Sequence, residues 1–84
     1  MREKSDSERL FDAAVGAELA LRREARGLTQ GQLAARVGIK RITMCHWENG
    51  RAAASVFLLS QCAAALGVSL AEIVGSAMKK TRSI

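Results

Sequence analysis

Two short helical patterns meet between residues 30 and 50 with almost no chain to join them, and that junction restricts the possible folds more than any other feature. Thr29 and Gln32 have the spacing of a capping box, in which side chain and backbone at a helix start satisfy each other's free donors. Leu33, Ala34 and Val37 follow as an apolar stripe that Gly38 ends. After Ile39 a second pattern puts Met44 and Trp47 on one face and closes at Asn49-Gly50, a pair that favours the left-handed cap conformation. Only two residues are expected between these helices, so they must cross steeply and touch near the turn. The chain is small or apolar where that crossing demands it: Ala34 where the helices close, Gly38 in the turn, and Leu33, Val37, Ile39, Met44 and Trp47 in the wedge.

The remainder of the chain also reads as helix. Ser5 and Glu8 repeat the capping-box spacing, and Phe11, Val15 and Leu19 share one face, with Leu10 and Ala14 beside it. A first helix is expected from there to about Arg26, with Gly27 as its stop. Ser55 can cap a fourth helix carrying Val56, Leu59, Cys62, Ala63 and Leu66 at helical spacing, stopped by Gly67. Ser69 and Glu72 cap a fifth, with Leu70, Ile73 and Val74 before Gly75, after which Met78 leads into a basic tail expected to fray. Proline is absent and alanine runs occupy 52–54 and 63–65, which favours helix throughout. The expected fold is therefore all-α with five helices and one core. The expected organisation is an N-terminal extension over 1–14 that begins helix one, a domain over 15–76, and a basic tail over 77–84.

An 84-residue chain exposes much of its surface and leaves little room for an elaborate active site. Phe11, Trp47 and Phe57 are its only aromatics, so the core must be built of Ala, Leu, Val and Ile. Cys45 and Cys62 sit inside helical patterns with no Cys/His ligand set, which favours free thiols over a disulfide or a metal site. No nucleophile and base, carboxylate pair or metal set is spaced for chemistry, so neither an enzyme nor a cofactor is expected. No apolar run is long enough for a membrane span or a signal peptide, and a cytoplasmic protein is expected. The net charge of +5 points to an anionic partner. Its distribution is uneven: residues 1–28 balance six basic against six acidic, whereas 29–51 hold Arg36, Lys40, Arg41 and Arg51 against Glu48 alone. Lys79, Lys80 and Arg82 add to the excess at the C-terminal end.

Through Gly27-Leu28-Thr29-Gln30, Leu33-Ala34, Gly38-Ile39 and Trp47-Glu48-Asn49-Gly50 the chain resembles the phage-repressor and Cro-like (Xre-type) helix-turn-helix family. The resemblance covers roughly 15–74 and continues through Ala63-Ala64-Ala65-Leu66-Gly67-Val68-Ser69. It implies a five-helix domain whose helices two and three form the helix-turn-helix, with the third helix, over about 40–49, entering the major groove of double-stranded DNA. Arg41 is then the first choice for a guanine contact, because its planar fork bonds two acceptors on one base edge. Ile42 and Thr43 would meet a thymine methyl. His46 would reach a base or a phosphate one turn on, with plain solvent exposure as the alternative. Gln30, Asn49 and Arg51 match family positions that hold phosphates. Arg23 and Glu48 match a family ion pair that bridges helix one to the end of helix three.

The departures from the family pattern carry information too. Lys40 stands where the family usually has a serine or threonine N-cap, which forfeits the cap and opposes the positive helix terminus at about 1 kcal/mol. A phosphate contact by Lys40 would offset that cost. Phe57 and Leu58 occupy usually polar positions and need cover, either from the tail of helix five or from a second subunit, and a two-fold homodimer is the preferred expectation. The resulting reading is a transcriptional regulator, most simply a repressor at a pseudo-palindromic operator. A phage repressor, a restriction-system controller and an autoregulatory antitoxin fit equally. The alternative is a protein-interaction module that uses the same scaffold to bind a partner such as a toxin and touches DNA weakly.

Overall fold

The structure is a computed structural model and describes residues 2–82. Five helices follow one another: α1 (Asp6–Ala25), α2 (Gln30–Val37), α3 (Arg41–Glu48), α4 (Val56–Leu66) and α5 (Leu70–Arg82). Ser5 caps α1 by accepting from the Glu8 amide at 3.1 Å, but the box is one-sided because the Glu8 carboxylate bonds Arg2 instead. The Thr29–Gln32 box at α2 is complete in both directions, at 2.8 and 3.1 Å. Ser69 and Glu72 likewise exchange bonds at the start of α5. Gly38 and Gly67 end α2 and α4 in the left-handed conformation, with φ of 76° and 73°, which glycine adopts without a Cβ clash.

The core is one cluster to which every helix contributes. Leu19, Leu33, Ala34, Met44, Trp47, Leu59, Cys62, Ala63, Leu66 and Ile73 are all buried in it. With one Trp as its only aromatic, this core relies on close approach of backbones through small residues. Gly16 marks the tightest approach, where α1 meets the end of α3: a Cβ at Gly16 would press on the Trp47 carbonyl and lie 2.7 Å from that of Glu48. Burial pushes the Cys62 thiol up to about 11, with the Glu48 charge acting in the same direction, so at neutral pH it is a small apolar filler.

Four expectations need correction. Three residues, not two, separate α2 and α3, because Lys40 has extended dihedrals (φ −76°, ψ 149°) and serves as the N-cap of α3. The C-terminal segment does not fray at Gly75: α5 runs on to Arg82, with Ala77 fully buried, and only residues 83–84 of the expected tail lie outside the described residues. Val56 is not part of the core stripe of α4 but 73 % exposed, since the first residue of that helix projects beyond the cluster. Phe57 is 68 % exposed and is not covered by α5, while Leu58 turns partly inward against the core.

The tail of α5 is helical because α1 gives it something to bind. Glu18, 4 % exposed, takes Arg22 at 2.7 Å from its own helix and Lys80 at 3.3 Å from α5. Arg22 in turn reaches Glu72 and the Ser76 hydroxyl. Burial alone would raise the Glu18 carboxyl, yet hydrogen bonds from Arg22 and Lys80 outweigh it and hold it below the usual carboxylate range. No single helix among the described residues is long and apolar enough to cross a membrane.

Replacing Gly16 by alanine forces backbone against backbone, so Gly16→Ala is expected to cost about 1–3 kcal/mol in urea unfolding. An unchanged midpoint would show that α1 can shift away freely. A carboxyl with a depressed folded-state pKa stabilises the protein above its unfolded value, and the gain is lost as pH falls through the folded value. Unfolding followed between about pH 5 and 3 should therefore show a smaller loss of stability in Glu18→Gln than in the wild type.

Candidate nucleic-acid interface

The candidate interface is built outward from a buried charge pair. Arg23 on α1 and Glu48 at the end of α3 meet bidentately, Nε to Oε2 at 2.7 Å and Nη2 to Oε1 at 3.0 Å. Their side chains are only 12 % and 5 % exposed. Arg23 also donates through Nη1 to the Leu28 carbonyl at 2.7 Å, fixing the loop that leads into α2. Hydrogen bonding to Glu48 outweighs burial and raises the Arg23 guanidinium above its ordinary value.

Gln30, the first residue of α2, joins this pair to the surface. Its Nε2 donates to Glu48 Oε1 at 2.9 Å, and its Oε1 accepts from Arg41 Nη1 at 3.4 Å. An amide nitrogen has two donors, so after Glu48 is served one N–H of Gln30 is left for a further acceptor. The Arg41 stem passes over Gly31, where a Cβ would sit 3.7 Å from Arg41 Cδ. A chain of contacts thus runs from Arg23 through Glu48 and Gln30 to Arg41, the first residue of the exposed helix.

On α3 the residues opposite the buried Met44 and Trp47 face outward. Arg41 is exposed, Ile42 is 50 % exposed, and Thr43 and His46 are half-buried. Lys40 is exposed and makes no side-chain cap bond. After α3, Asn49 Oδ1 accepts from the Arg51 amide at 3.2 Å, and the His46 carbonyl accepts from the same amide at 2.9 Å. The turn therefore holds exposed Arg51 beside the end of α3. The structure gathers Gln30, Lys40, Arg41, Ile42, Thr43, His46, Asn49 and Arg51 around α3 and its flanking turns; Phe57 and Leu58 lie apart on α4.

Two features of this arrangement are not announced by the sequence. Gly16, which admits the end of α3, reads as an ordinary helical glycine. Gln30 is picked out by the family resemblance as a phosphate contact, but nothing in its spacing announces the bond to Glu48, eighteen positions away.

A family model described as helix-turn-helix matches residues 19–73. The chain is similar to two crystal structures of the clp gene regulator ClgR from Corynebacterium glutamicum. One aligns at 29 % identity and a TM-score of 0.82, covering 87 % of this chain and 78 % of that one. The other aligns at 30 % identity and a TM-score of 0.78, covering 83 % and 91 %. A hypothetical transcription factor, NHTF from Neisseria, shares the fold at 24 % identity and a TM-score of 0.75, over all of this chain and 95 % of the other. No curated protein sequence matches the chain.

Removing one member of a buried pair strands the other charge, so Arg23→Met is expected to cost about 3–5 kcal/mol. The double variant Arg23→Met with Glu48→Met should recover most of that, as apolar side chains fill the space. Chemical denaturation of the three proteins checks both statements, and a single variant of wild-type stability would mean that the pair is solvated in solution.

Proposed function

The chain belongs to the lambda-repressor-like (Xre-type) helix-turn-helix family of DNA-binding transcriptional regulators, and from that premise we propose that it is a sequence-specific repressor that binds a pseudo-palindromic operator as a dimer. The observation that carries the reading is the outer face of α3, where exposed Arg41 and Ile42 and half-buried Thr43 point away from a helix face that is locked into the core. In this reading Arg41 bonds a guanine edge, Ile42 and Thr43 meet thymine methyl groups, and His46 reaches a base one turn further on. Gln30, Lys40, Asn49 and Arg51 hold phosphates on either side and set the register of α3 in the groove.

The preference for phosphate at Lys40 follows from its position. An ammonium at the positive end of α3, with no cap bond in return, is unfavourable in the free protein. A phosphate placed there reverses the sign of the local interaction. Gln30 acts in two directions, with one N–H kept by Glu48 and the other offered to the backbone of the DNA. The dimer presents two α3 helices about 34 Å apart, one turn of DNA, and Phe57 with the exposed edge of Leu58 contributes to the contact between copies. With transcription as its target, such a protein acts by occupying its site, and its own concentration sets the response.

Selection of bound duplexes from a randomised library at near-physiological salt tests this directly. An inverted repeat should emerge, and Arg41→Ala should weaken binding to it by about 1–3 kcal/mol and relax the preference at one position. Lys40→Ser should weaken binding to all sequences alike and lower the salt slope by about one. Recovery of no motif, with only weak salt-sensitive binding, would contradict the proposal and favour a protein partner.

A further inference from the structure

An open groove of about 280 Å³ lies between α1, the loop over 52–54, α4 and α5, with Trp47 of α3 also lining it. Val15, Val56 and Val74 give it apolar walls, and none of the residues proposed above to meet DNA takes part in it. Asp12 is the one charged residue of the lining, and its side chain is only 9 % exposed. Lys4 donates to one oxygen of that carboxylate, Oδ2, at 2.7 Å. The other oxygen, Oδ1, has no hydrogen-bond partner among the described residues. A nearly buried carboxylate thus stands in an apolar groove with one acceptor unused.

We infer that this groove is a binding site for a small neutral molecule with a flat apolar body and one N–H or O–H donor, the donor meeting Asp12 Oδ1. Size sets the body. A dry cavity of ~150 Å³ takes one benzene ring, so a groove of about 280 Å³ accommodates a fused pair of rings. The walls offer little to bond, and most of the ligand must be apolar. Charge decides the rest. A carboxylate oxygen only accepts, so the ligand must donate there, and a ligand carboxylate is repelled. A cation gains little, because Lys4 already holds the other oxygen and the whole chain carries +5. A neutral donor leaves the Lys4 bond in place and satisfies the oxygen that remains.

The site approaches the proposed reading helix from behind. Trp47 immediately precedes Glu48, and Ala52 immediately follows Arg51, so a ligand in the groove contacts both ends of the turn that holds Asn49 and Arg51. The groove and the outer face of α3 share no residue, and ligand binding is therefore tested separately from DNA binding.

The test titrates the isotope-labelled full chain with three probes and follows backbone amide shifts. Indole supplies fused rings and one N–H; N-methylindole lacks the donor; indole-3-carboxylate adds a negative charge. Indole should move the amides of Asp12, Trp47, Ala53 and Val74 saturably and bind about tenfold more tightly than N-methylindole, as a hydrogen bond to a carboxylate warrants. Indole-3-carboxylate should leave those amides unmoved. Asp12→Leu removes the acceptor and should bind the two neutral probes equally, whereas Ala53→Phe, from an exposed position in the lining, should block both. Thermal melting confirms that each variant is folded, and if Asp12→Leu is not, the wild-type comparison of the three probes decides alone. Equal binding of indole and N-methylindole by the wild type, or binding of the carboxylate in the groove, would overturn the assignment of a neutral donor to Asp12. Shifts that do not saturate, or that centre on another surface, would show that the groove is not a ligand site.

Discussion

The bidentate pair of Arg23 and Glu48 is the interaction on which the rest of the structure depends. It joins the middle of the sequence to its first helix, and at the same point receives Gln30 from α2 and gives a bond to the Leu28 carbonyl. Three segments are thus fixed to one another by a single buried cluster of charge-assisted bonds. Such a pair adds little net stability compared with apolar packing, because both charges are desolvated. What it adds here is position: the end of α3 is set relative to α1, and Gly16 removes the side chain that would hold them apart.

That rigidity has a functional consequence. Reading base edges requires side chains held to within a fraction of an ångström, and two-turn helices are too short to be stable alone. α3 obtains its rigidity from three sources: Met44 and Trp47 in the core, the crossing with α2 at Gly38, and Glu48 at its end. Its outer face is free of structural duties and its composition can follow the ligand. Gln30 is the exception, since it belongs both to the buried cluster and to the exposed surface, and through it the position of Arg41 is coupled to the core.

Much of this was legible in the sequence, for reasons that are local. Caps at Ser5, Thr29, Ser55 and Ser69, stops at Gly38 and Gly67, and apolar spacing at 3.6 residues define the first four helices and the start of the fifth within one or two positions. The pairing of Arg23 with Glu48 came from the family resemblance rather than from periodicity. The errors are equally instructive. Gly75 looks like a stop, but the anchoring of Lys80 on Glu18 and the burial of Ala77 carry α5 through it, which is a tertiary effect overriding a local one. Val56 fits the apolar spacing of α4, yet a helix end can extend past the core it packs on. The groove beneath it is formed by four helices and a loop, and no pattern within one of them reveals it.

The central claim, that α3 and its flanking turns form the DNA-reading surface while α1 positions them, is most directly tested by nuclear magnetic resonance. Backbone amide shifts would be followed as the labelled protein is titrated with its selected duplex. The account predicts the largest changes at 30–31, 40–46 and 49–51, with the interior of α5 little affected. Changes centred on α4 and α5, with α3 amides unmoved, would contradict it.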